Sequence, residues 1–124
     1  MNDALTAFGR FGLSLIFIVS GWGKIAAYAG TQQYMESAGV PGALLPLVIA
    51  AELGGGLAIL LGLFTRWVAL ALAGFSLVSA ALFHLPHFSD PMQAINVWKN
   101  IAIAGGMLVL AAHGAGAFSI DAKR

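Results

Sequence analysis

Four long apolar runs, at 4–27, 43–64, 68–85 and 92–113, are separated by short breaks rich in glycine, proline and polar residues. Each run approaches or exceeds the ~20 residues a helix needs to cross a bilayer. The pattern predicts an all-α protein, a transmembrane four-helix bundle forming a single domain over 1–124. The first break carries a polar stretch at 31–38, ended by Gly39-Val40-Pro41-Gly42. That stretch predicts a short interfacial helix lying on the membrane surface. Thr65-Arg66-Trp67 reads as a tight interfacial turn, and residues 84–91 as a third loop holding His84, Pro86, His87, Asp90 and Pro91.

Within the first run, Arg10, Ser14, Phe17, Gly21 and Lys24 recur at alternating spacings of four and three, one stripe of a helix. Small residues on such a stripe predict a contact with another helix. Arg10 and Lys24 lie fourteen residues apart, about 21 Å along a helix. Both can therefore snorkel toward opposite interfaces, the plain reading of each beside their place on the contact stripe. A cleaved signal peptide would need a cut near Ala27-Tyr28-Ala29; Lys24 is badly placed for that, and three more apolar runs follow.

Glu52 is the sole charge in the second run. Burying a carboxylate there costs on the order of 2.5–3.5 kcal/mol on insertion scales, so it is expected to face the bundle interior and find a partner. Gly54, Gly55 and Gly56 follow it, the last two at its own helical face, where they would let a neighbouring helix approach.

Composition sharpens this picture. The chain is 60% hydrophobic and 9% charged, with a mean hydropathy of +0.89. A soluble domain of this size carries more polar surface. A net charge of +1 without a basic run argues against a nucleic-acid partner. The absence of cysteine excludes disulfides, dithiol redox pairs and thiolate-bound iron–sulfur clusters. Arg66, Lys123 and Arg124 lie on one side of the predicted bundle, and the loops on the other side have no Lys or Arg. The positive-inside rule then puts both termini in the cytoplasm.

In that topology Glu52, Lys24, Lys99 and His84 converge in the outer half of the bundle, with Asn96 and Asn100 as neutral hydrogen-bonding groups. A lysine beside Glu52 favours the charged forms of both. Lys99 or Lys24 is expected within reach of Glu52, with Lys99, deeper and next to Asn100, the favoured of the two. Such a cluster could hold a quinone-like or other small ligand, with carbonyl oxygens facing Lys and Asn, or relay protons. The competing reading is an ion pair that only fixes helix register. His84 and His87 lack a completed ligand set, so no metal site is expected. Trp22 and Trp98 read as belt or packing residues and His113 as interfacial.

Residues 17–24 with Ser20-Gly21-Trp22-Gly23-Lys24, Ala51-Glu52-Leu53-Gly54-Gly55-Gly56-Leu57 with Leu61-Gly62, 98–106 with Trp98-Lys99-Asn100, and the tail 114–121 together resemble the DoxX family of small four-span bacterial membrane proteins. The resemblance implies a multi-pass protein of the bacterial inner membrane. It also implies kinship with a subunit of a thiosulfate:quinone oxidoreductase and with members linked to quinone or oxidative-stress responses. Carried over by position, it points to Ser20, Gly21, Lys24, Glu52, Lys99 and Asn100. The ligand-binding set is then Ser20, Lys24, Glu52, His84, Lys99 and Asn100, with no catalytic residue assigned. Three functions follow as expectations: a quinone-linked redox component or accessory subunit, a non-catalytic membrane scaffold, or a small-solute or proton permease. Quinone is the candidate cofactor or ligand. The bilayer is the implied surrounding, and a redox partner subunit and a homo-oligomer are left open.

Overall fold

The computed structural model describes residues 2–123. Among them are helices α1 (Asn2–Ala26), α2 (Tyr28–Ser37), α3 (Gly42–Leu61), α4 (Thr65–His87) and α5 (Pro91–His113). All but the short α2 are long and apolar enough to cross a membrane. The fold is the expected all-α four-helix bundle, with α2 as the added short helix. α1 packs along α3 and α4 along α5; contacts of α3 with α4 and of α1 with α5 close the bundle.

The α1 stripe does what its spacing predicts: Arg10, Ser14, Phe17 and Gly21 are the buried residues of that helix. The core continues through Ile59 of α3, Ala69, Leu72 and Ala73 of α4, and Ala104 and Met107 of α5. Large apolar side chains such as Phe8, Leu47 and Val109 face outward, as do Trp22, Trp67 and Trp98. In lipid this surface gains little from burial, so close interhelical packing must hold the bundle together.

Glycines provide that packing. A Cβ on Gly56 would lie 2.8 Å from Ile18 Cγ1 and 3.2 Å from the Ile18 backbone nitrogen; one on Gly55 would lie 2.9 Å from Leu72 Cδ2. Gly56 thus brings α3 against α1, and Gly55 brings it against α4. Gly54 has open space beside it.

Helix boundaries differ from the hydropathy pattern where local chemistry intervenes. α3 stops at Leu61 instead of 64, because Gly62 adopts a left-handed conformation (φ 71°, ψ 42°). Gly62 N–H donates to Ile59 O and Leu63 N–H to Ala58 O, the two bonds of a Schellman cap. α4 starts at Thr65, so Thr65-Arg66-Trp67 is its first turn and the tight turn lies just before it. The Asp121 carboxylate sets this start, accepting from Phe64 N (2.8 Å) and Thr65 N (2.9 Å). At its other end α4 runs through a π-helical turn (Ala80–His84) and a short 3-10 turn (Leu85–His87). His84 is therefore helical rather than part of a loop. α5 begins at Pro91 with Asp90 Oδ1 accepting from Met92 N.

Arg10 departs furthest from expectation. It does not snorkel: it is 2% exposed. Its Nη1 donates to Ile59 O (3.0 Å) and Leu60 O (2.9 Å), and its Nη2 to Phe118 O. The guanidinium thereby caps the C-terminus of α3, where the helix dipole favours a cation. The tail adds backbone bonds from Ile120 N to Leu61 O and from Asp121 N to Gly62 O, and Asp3 Oδ1 accepts from Ala117 N. Tail, α1, α3 and α4 are thus clasped at the end that carries both termini.

Gly56→Ala should lower stability by about 1–3 kcal/mol through overpacking against α1. Gly54→Ala should be neutral or stabilise by up to ~1 kcal/mol, since it gains helix propensity and meets nothing. Thermal unfolding of the two variants in one detergent measures the contrast; equal losses would refute this account of the α1–α3 contact.

Candidate ligand site

The site lies in the half of the bundle away from the termini. Gly21 opens it: a Cβ there would lie 3.3 Å from Glu52 Cβ and 2.7 Å from Leu53 Cγ. The missing side chain lets α3 close on α1 at this level. Lys24, one turn further along α1, then reaches Glu52, with Nζ 2.7 Å from Oε1. The two ends of the pair differ in surroundings. The Glu52 side chain is 6% exposed and that of Lys24 is 29% exposed.

Glu52 sits at the middle of a π-helical turn, Ala50–Gly54. Such turns insert one extra residue, are uncommon, and recur at functional sites. The second π-turn, Ala80–His84, faces the same region from α4. His84 Nδ1 lies 2.6 Å from Gln93 Oε1 of α5, an oxygen that also accepts from Asn96 Nδ2 (3.4 Å). Asn100 Nδ2 donates to Ser76 O (3.1 Å), tying α5 to α4 just before that turn. One N–H of the Asn100 amide and its carbonyl remain for other partners.

Two cavities meet at the ion pair. The first, about 310 Å³, lies under α2 between α3 and α4, and its wall is mostly apolar: Met35, Val48, Val78, Leu82 and Phe83 are typical. Tyr34 of α2 stacks on Phe83 with ring centroids 5.4 Å apart, and its hydroxyl donates to Phe83 O. The second, about 230 Å³, is the more polar of the two, with Ser20, Ser76, Asn96, Lys99 and Asn100 set among Ile16, Phe17 and Ile103. Lys24, Glu52, Phe75, Ser79 and His84 belong to both walls.

All six sequence-selected residues, Ser20, Lys24, Glu52, His84, Lys99 and Asn100, therefore border the polar cavity. The favoured pairing of Glu52 with Lys99 is corrected: Lys24 takes that position. α1 is drawn against α3 by Gly21 and Gly56, whereas Lys99 rides on α5, which packs chiefly along α4. Phe75, Ser79 and the α2 pair Tyr34 and Met35 were not singled out by the sequence.

The DoxX family profile matches residues 5–85. Two relatives from Escherichia coli (strain K12) cover nearly the whole chain. Inner membrane protein YqjF is 52% identical over 121 residues, 98% of this chain and 92% of that protein. Inner membrane protein YphA is 38% identical over 130 residues, 98% of this chain and 91% of that protein. No solved structure matches.

The unequal exposure of the ion pair predicts unequal mutational costs. Lys24→Met strands a buried carboxylate and should cost the most, toward the ~3–5 kcal/mol seen for broken buried pairs in soluble proteins. Glu52→Gln leaves an ammonium that can turn outward, and should cost less. The double variant Lys24→Met with Glu52→Gln should recover part of the loss. Denaturant unfolding in detergent tests the order; a double variant no more stable than Lys24→Met would sink the pairing.

Proposed function

The chain belongs to the DoxX family of membrane proteins, and on that premise we propose that it is a multi-pass protein of the bacterial inner membrane that binds a quinone-like ligand at the Lys24–Glu52 pair. It acts there as a quinone-linked redox component or as the accessory subunit of one. The observation that carries this reading is the meeting of an apolar chamber and a polar chamber at a single buried ion pair. Ligand sites commonly combine an apolar wall with a few placed polar groups in this way.

A ring in the apolar chamber would place a carbonyl oxygen against the Lys24 ammonium, and a second polar group toward Asn100 and Ser20. Lys24 and the free amide N–H of Asn100 are donors suited to carbonyl acceptors. His84, oriented through Nδ1 by Gln93, is the residue that could exchange a proton with the ligand. Electrons would arrive from a redox partner subunit. The bilayer supplies an apolar ligand laterally.

The scaffold and permease readings receive less support. A register-fixing pair alone does not call for two cavities sharing its wall. A continuous path would have to cross the packed layer of Phe17, Ile59, Ala104 and Met107, which lies between the chambers and the Arg10 cap.

Protein purified with native lipids should carry a co-purified quinone detectable by mass spectrometry. Ser79→Phe, which fills the wall common to both chambers, should lose it while keeping the thermal transition. No quinone in the wild type, and no binding of added quinone in nanodiscs, would overturn the reading.

The proposed orientation puts both termini in the cytoplasm, following the Lys and Arg bias of the loops. Topology reporters fused after the last residue and inserted at 39–41 should report opposite sides. A shared side would refute it.

A further inference from the structure

The charges around the polar chamber do not balance. Lys24 and Glu52 neutralise each other at 2.7 Å. Lys99 stands in the same wall and, among the described residues, has no carboxylate within ion-pair distance. The remaining polar groups of that wall, Ser20, Ser76, Ser79, Asn96 and Asn100, are neutral. His84 is the only other titratable group there, and its Nδ1 is engaged by the neutral Gln93 oxygen. The chamber thus presents one uncompensated positive charge among hydrogen-bonding groups.

Lys99 lies about two turns inside α5 from Pro91, within a helix apolar enough to span a membrane. Its side chain is exposed, so the ammonium is not pre-engaged by the protein and is open to an anion that enters the chamber. Glu52 is not free to serve, because the α1–α3 approach at Gly21 holds it to Lys24. An anionic ligand would supply the complement that this wall lacks.

We infer that the polar chamber is built for a ligand bearing one negative charge: the anion of an acidic ring hydroxyl on a quinone-like molecule, its charge held by Lys99 and its apolar part lying in the chamber beneath α2. This rests on the quinone-like reading above and narrows it to ionised hydroxyquinones and related acidic ring compounds. Lys99 then determines specificity, by preferring the ionised form over its neutral analogue. Asn96 and Asn100 flank the charge with amide groups, and charge-assisted hydrogen bonds are roughly twice as strong as neutral ones.

The test compares two probes: a hydroxynaphthoquinone that is ionised at neutral pH, and its neutral methyl ether. Binding is measured by titration calorimetry on protein in nanodiscs of zwitterionic lipid, with empty nanodiscs subtracted. The wild type should bind the ionised probe at least about tenfold more tightly than the ether. Lys99→Gln should abolish that preference and Lys99→Arg should retain it. Equal binding of both probes by the wild type overturns the inference and leaves the quinone-like reading standing. A preference that survives Lys99→Gln overturns the role of Lys99. Failure of both probes to bind overturns both readings. The wild-type comparison decides the ligand's charge even if a Lys99 variant does not fold.

Discussion

The structure depends on one ion pair placed where charge is expensive. Glu52 interrupts an apolar run, and its carboxylate can be tolerated there only if an ammonium reaches it in a low-dielectric setting. That need dictates local geometry. α3 must approach α1 closely enough for Lys24 to make contact, which requires Gly21 to lack a side chain and Gly56 to accept Ile18 and Phe17. It also fixes register, since one turn of sliding between α1 and α3 would strand both charges. The pair therefore specifies how the first two long helices meet, and the chambers form around the contact.

The two ends of the bundle solve opposite problems. At the terminal end Arg10 is buried among backbone carbonyls, the Schellman cap at Gly62 reverses the chain, and Asp121 caps α4. A Cβ on Gly62 would lie 2.3 Å from Ser119 Cβ, a measure of how tightly the tail is seated. At the other end the helices depart from α geometry, with π-turns in α3 and α4 at the level of the ion pair. The clasped end holds α1, α3, α4 and the tail together, so the other end can stay hollow without these helices coming apart.

Much of this was legible in the residues. Four apolar runs of bilayer length gave the fold class, and the alternating spacing of Arg10, Ser14, Phe17 and Gly21 marked the buried face of α1. The cost of burying Glu52 predicted that it would face inward and be paired. The choice of partner was not legible, because hydropathy places Lys24 and Lys99 on the same membrane side but does not say which helix lies against α3. The glycines at 21 and 56 carried that information, and they could be read as a facing pair only once α1 and α3 were in register. Arg10 was misread for a related reason. Its position on the buried stripe favoured an interior role, while its closeness to a helix end favoured the interface, and only the folded tail supplies the carbonyl of Phe118. The π-turns left no mark in the sequence, since their residues are ordinary helix formers beside glycine and alanine.

The elements divide the site unequally. α1, α3 and α4 supply the ion pair and, with α2, the apolar chamber, and the segment matched by the family profile, 5–85, contains them except for the first three residues of α1 and the last two of α4. α5 lies beyond it and supplies Lys99, Asn100, Asn96 and the Gln93 oxygen that orients His84. On the proposed reading this separates two tasks. The ion pair and its glycines keep the bundle assembled with or without a ligand, because their charges already cancel. The Lys99 charge of the α5 wall has no carboxylate partner among the described residues, so it is not needed for the ion pairing that joins α1 and α3 and is free to discriminate among ligands. Specificity would then change by substitution along one face of α5, without touching the Lys24–Glu52 contact on which the fold depends.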